Sequence, residues 1–177
     1  MQLVSKHGTD LTVIDLTGNQ IGGKLSTLAS FGSLTSLRLG GMGLSGPSVS
    51  ETLRLCADSC STLRTLILSN NALGGCLSTQ DREVFGKFTH LSELGLGSVG
   101  LTGPPMEDFL EILSPIASTI AKIDLSENAL GGVIPTASVS FASFPNLVAL
   151  ELAGNGLLGD EGDSVVRADV VTPSCAT

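Results

Sequence analysis

An eleven-residue pattern, Leu-x-x-Leu-x-Leu-x-x-Asn-x-Leu with substitutions, occurs six times in this chain. It starts at Leu11, Leu34, Leu63, Leu91, Ile120 and Leu147, so successive copies begin 23, 29, 28, 29 and 27 residues apart. A motif that returns at such a period marks one supersecondary unit per copy, and each unit can bury its apolar face only against its neighbours. The spacing therefore predicts an α/β solenoid of six coils, numbered here 1 to 6 from those starting residues. A globule around one central core is excluded.

Within a coil the residues divide by role. In coil 3, Leu66 and Leu68 alternate with Thr65 and Ile67, the pattern of a short strand with one buried face. Stacking such strands in register gives a parallel sheet along the concave side. The Asn of the motif (Asn19, Asn71, Asn128 and Asn155) carries both donor and acceptor groups. It can satisfy backbone groups of its own and the adjacent coil where the chain turns away from the strand. Met42 and Val99 replace it in coils 2 and 4, where weaker or hydrated corners are expected. A glycine follows two residues after each motif (Gly23, Gly46, Gly75, Gly103, Gly132 and Gly159), which predicts a positive φ or a close approach between coils.

The intervening segments form the convex side. Val49, Leu53, Cys56 and Cys60 recur with helical spacing, and Asp81 to Phe88 is a second, short helix candidate. Pro104-Pro105 followed by Met106-Glu107-Asp108 marks a third helix start. The first and fifth segments are less regular, and Val133-Ile134-Pro135 reads as extended. All six Phe fall on this side; Phe31, Phe88 and Phe144 each precede a motif by three residues, so they are expected at one repeated core position.

Composition excludes several functions. A net charge of −8 disfavours a nucleic-acid binder, which needs a basic footprint to displace counterions. It equally disfavours attraction to anionic membranes, and no apolar run is long enough for membrane insertion. Cys56, Cys60, Cys76 and Cys175 lack zinc-ligand spacing and read as free or buried thiols. His7 and His90 have no partner motif for a nucleophile–base pair, and no phosphate-loop, dinucleotide or metal motif is present. The expectation is a chain with no cofactor and no catalytic activity. Without a signal peptide pattern, paired cysteine caps or Asn-x-Ser/Thr sequons, the expected location is cytoplasmic; an extracellular fragment of a receptor-like protein is the alternative.

Taken together, the six motifs resemble the leucine-rich repeat family over residues 11–159. Asn128-Ala-Leu-Gly-Gly-Val-Ile-Pro135 is similar to plant-type repeats, while the 27–29 residue spacings and helical convex segments are similar to ribonuclease-inhibitor-type repeats. The resemblance implies a curved horseshoe segment whose concave sheet binds other proteins, and it transfers no catalytic residues. The domain reading is a lead-in at 1–10, six repeats at 11–159, and an acidic, then apolar, tail or partial cap at 160–177.

The outward residues of the strands define the expected docking face. One row runs Asp15, Arg38, Ile67, Gly95, Asp124, Glu151, and another runs Val13, Ser36, Thr65, Glu93, Lys122, Ala149. With strands about 5 Å apart, Asp15 is expected to pair with Arg38 and Glu93 with Lys122, each pair worth no more than about 1 kcal/mol. Asp124 beside Glu151, with Glu127 nearby, sets like charges together. A basic segment of a protein or peptide partner would relieve that repulsion; the plainer reading is a solvated acidic face. The centre of the face is small and smooth, and the chain has no Trp or Tyr to anchor an interface. The functional expectation is a protein–protein interaction module of a larger signalling or recognition protein. The alternative is a regulatory subunit or activator of an enzyme, in the manner of a GTPase activator, with Arg38 or Arg64 supplying the charge. Because the ends show no obvious polar cap, self-association through them is also expected.

Overall fold

The computed structural model describes residues 2–3, 10–28, 31–132 and 143–158. Six three-residue strands form one parallel sheet in chain order: β2 (Val13–Asp15), β4 (Ser36–Arg38), β5 (Thr65–Ile67), β6 (Glu93–Gly95), β7 (Lys122–Asp124) and β8 (Ala149–Glu151). Each strand pairs with the homologous residues of the next, as in Leu37 with Leu66 and Leu66 with Leu94. The two expected rows are therefore the observed ones. Strands end after three residues because the chain reverses at a repeated left-handed corner. Gly18, Gly41, Asn70, Ser98, Glu127 and Gly154 occupy that corner, all with φ between 54° and 76°. The motif's later glycines also turn, with positive φ at Gly23, Gly46, Gly75, Gly103 and Gly132; Gly159 lies outside the described residues.

Among the described residues three helices cover the convex side: α1 (Val49–Ser59), α2 (Asp81–Gly86) and α3 (Met106–Leu113), the last continued by a 3-10 turn at Ser114–Ile116. α1 starts at a capping box in which Ser48 and Glu51 satisfy each other's backbone N–H groups. Asp81, only 2% exposed, accepts from the Ser78 backbone N–H and from the Ser50 hydroxyl of α1. It thus ties coil 2 to coil 3. Lys87 to Asp58 (2.6 Å) and Arg82 to Glu111 (3.1 Å) link successive helices at the surface. The first segment is more regular than expected. Thr27–Leu28 forms β3, paired in parallel with Gln2–Leu3 (β1). The expected extended stretch at Val133–Pro135 lies outside the described residues.

The core is a continuous stack of motif leucines lined by helix residues. Leu34, Leu37, Leu39, Leu63, Leu66 and Leu68 have no exposure, and Phe31, Phe88 and Phe144 are buried as the repeat spacing predicts. Deleting one such Leu side chain would cost about 2–5 kcal/mol, because flanking coils cannot close the cavity fully.

The corners correct the expectation at Met42 and Val99. Asn71 Nδ2 donates to Leu68 O of its own coil at 2.7 Å and to Leu39 O of the coil before at 2.8 Å. Its Oδ1 accepts from the Met42 and Leu44 backbone N–H groups. Asn128 does the same for coil 4, bonding Leu96 O, Val99 N and Leu101 N. The coils that lack an Asn are satisfied by the coil that follows. Asn155 grips Leu125 O and Leu152 O, but its buried Oδ1 has no partner.

Candidate docking face

The sheet surface is built by side chains that lean across neighbouring strands. Arg38 does not pair with its register partner Asp15. It reaches over β5 to Glu93 at 3.2 Å, and Thr65 Oγ1 donates to the same Glu93 oxygen at 3.2 Å. The expected Glu93–Lys122 pair is likewise absent, since Glu93 turns toward the N-terminal coils. Asp15 folds back onto Thr17, whose backbone N–H donates at 3.0 Å. Thr17's hydrogen bonds hold the Asp15 carboxyl below its ordinary value, and the charge of Arg38 adds a smaller pull.

Coil 4 contributes no side chain to the middle of this surface. A methyl on Gly95 would stand 2.8 Å from Ile67 Cδ1, and one on Gly97 would stand 2.5 Å from Asp124 Oδ2. Ile67 from coil 3 and Asp124 from coil 5 therefore occupy the space above the bare strand. Glycine is required there by crowding from neighbours, and neither residue needs a positive φ.

Asp124 and Glu151 are register partners, as expected. Yet the Asp124 carboxylate turns away from Glu151. Its Oδ1 accepts from the Ser126 backbone N–H (3.0 Å) and hydroxyl (2.6 Å), and its Oδ2 accepts from Ser69 Oγ at 3.3 Å, two strands away. Ser69 in turn accepts from the Gly97 backbone N–H at 3.1 Å. The fold thus relieves internally much of the repulsion that the register alone implies. Glu127 lies over Gly154 and is exposed, as is Glu151; neither makes an ion pair among the described residues. Of the six expected docking residues, Asp124, Glu127 and Glu151 cluster over coils 5 and 6. Arg38, Glu93 and the half-buried Ile67 form a second, internally neutralised group. Ser69, Gly95 and Gly97, which decide where Asp124 points, were legible only as smoothness.

The cysteines are of two kinds. Cys56 and Cys60 are buried free thiols, and burial raises both pKa values, that of Cys60 to about 11. Cys76 is disulfide-bonded, which corrects the reading of it as a thiol; Cys175 lies outside the described residues. Among the described residues no group of three or more His, Cys, Asp or Glu side chains could hold a metal ion. No helix there is long and apolar enough to cross a membrane.

A family model described as Leucine Rich repeat matches residues 8–24, 59–75 and 145–162. These segments span the motifs of coils 1, 3 and 6, all of which carry the Asn. No curated protein matches the chain. The matched segments fall on three of the stacked coils, and the architecture is that of a leucine-rich-repeat-type solenoid, a curved parallel sheet with helices on the convex side.

Proposed function

We propose that the chain is a non-catalytic protein-interaction module whose concave sheet receives a Lys/Arg-bearing segment of a protein or peptide over coils 5 and 6. The observation that carries this reading is the contrast in charge satisfaction along one face. Arg38 and Glu93 neutralise each other, whereas the exposed Glu127 and Glu151 have no basic partner among the described residues. Asp124, engaged by Ser69 and Ser126, contributes its charge to that cluster rather than a free contact. Ile67 offers an apolar contact at the near edge. A module without chemistry acts through what it holds, so its place is within a larger signalling or recognition assembly. The helices α1 to α3 together with the plant-like Asn128–Pro135 sequence support a mixed repeat type. The disulfide at Cys76 supports an oxidising, extracellular setting over the cytoplasmic one. Alkylation of the unreduced, denatured protein should then label Cys56 and Cys60 and spare Cys76.

The docking reading is tested with a short Lys/Arg-rich peptide as probe. Charge reversal at Asp124 and Glu151 should weaken binding about tenfold and flatten its dependence on salt. Unchanged binding would leave a solvated acidic face and remove this docking site.

A further inference from the structure

The first coil exposes positions that are buried in coils 2 to 5 and half-buried in coil 6. Leu11 is 47% exposed and Ile21 is 54% exposed, while their equivalents Leu34, Leu63 and Leu91, and Leu44 and Leu101, have no exposure. Val13 beside them is 55% exposed. β2 is also the terminal strand of the sheet. Thr12 O, Leu16 N and Gly18 N bond toward coil 2, so by alternation the N–H and C=O groups of Val13 and Asp15 face outward. Among the described residues no strand pairs with that edge, and such an edge beside an apolar end is a template for another strand.

Two arrangements with a second copy are available, and charge selects between them. Head-to-tail stacking would continue the parallel ladder by laying β8 of one copy on β2 of the next. The register that pairs homologous positions throughout the sheet would then set Glu151 against Asp15, two like charges directly opposite. A two-fold arrangement avoids this. With β2 antiparallel to its own copy about Ile14, Val13 faces Asp15 of the second copy, and those two pairs use all four outward N–H and C=O groups. Leu11, Val13 and Ile21 of both copies come under cover in the same step. We propose that β2 is a homodimerisation edge, pairing antiparallel with β2 of a second copy through a two-fold axis at Ile14. This surface is distinct from the concave face over coils 5 and 6 and does not depend on what binds there.

Sedimentation velocity across a concentration series tests it on the full chain. The wild type should pass from monomer to dimer and stop there. Val13 is exposed, so charged replacements leave the coil folded, which circular dichroism checks. Val13→Glu sets two acids opposite each other twice in the dimer and should weaken association about tenfold, whereas Val13→Lys sets a base opposite Asp15 and should strengthen it. A wild type that stays monomeric into the millimolar range overturns the proposal. So does growth beyond the dimer, which would mean head-to-tail stacking, or a shift of both variants in the same direction.

Discussion

Coils 4 and 5 share a motif and a core but differ at nearly every position that faces outward or turns the chain. Coil 5 carries Lys122 and Asp124 on its strand and Asn128 at its corner; coil 4 carries Glu93 and Gly95 on its strand, then Gly97 and Val99. Coil 4 cannot satisfy its own corner, and its surface beyond Glu93 is bare. Its neighbours supply both deficits: Asn128 reaches back to Leu96, Val99 and Leu101, while Asp124 and Ile67 lie over Gly97 and Gly95. In a stacked array the unit of stability is therefore the joint between coils rather than the coil. The same joint sets the charge pattern of the sheet surface, because leaning over coil 4 turns Asp124 away from Glu151.

The comparison can be broken most severely at Asn128. Asn128→Ala removes the acceptor of two buried N–H groups and the donor to three carbonyls, at a cost of roughly 3 kcal/mol. The damage should be seen in coil 4: amide exchange at Val99 and Leu101 should accelerate more than exchange in coil 6. Equal or no acceleration would mean that coil 4 does not depend on its neighbour. Ser69→Ala comes next. It orphans the buried Gly97 N–H and releases Asp124, so chemical denaturation should show a loss of about 1–2 kcal/mol. Gly97→Ala displaces the Asp124 carboxylate while keeping Ser69, and should cost about 1 kcal/mol. Both variants weaken the hold that keeps Asp124 over coil 4 and should tighten binding of a Lys/Arg-rich peptide; weaker binding would contradict the described role of the lean. The smallest effect is expected for Arg38→Ala. That ion pair is partly exposed, so its loss should cost under about 1 kcal/mol and fade in high salt. A larger, salt-insensitive loss would show that the N-terminal half of the face is more tightly built than described.

Much of this architecture was legible because the leucines repeat. The strand registers, the convex helices, the buried Phe31, Phe88 and Phe144, and the turning glycines all follow from spacing. Side-chain reach was harder to read. Row neighbours were expected to pair, but Arg38 is long enough to pass over Thr65 and find Glu93, while Asp15 finds Thr17 first. Replacement of Asn by Met42 or Val99 looked like a local defect because the motif was read coil by coil, and the compensating bonds run 27 to 32 residues along the chain. The glycines of coil 4 read as smoothness because what fills the space above them belongs to other coils. The left-handed corner is glycine in three coils (Gly18, Gly41 and Gly154) but Asn70, Ser98 and Glu127 in the others, so no single residue type marks it along the chain.

The central claim is that charge left unsatisfied over coils 5 and 6 makes that part of the concave face the docking surface. Amide chemical shifts of the chain, followed while a short Lys/Arg-rich peptide is titrated in, test this most directly. The account predicts saturable shifts centred on Lys122–Asp124, Glu127 and Ala149–Glu151, with little change at Val13–Asp15 or in α1 and α2. Shifts centred on the convex helices, or none that saturate, would contradict it.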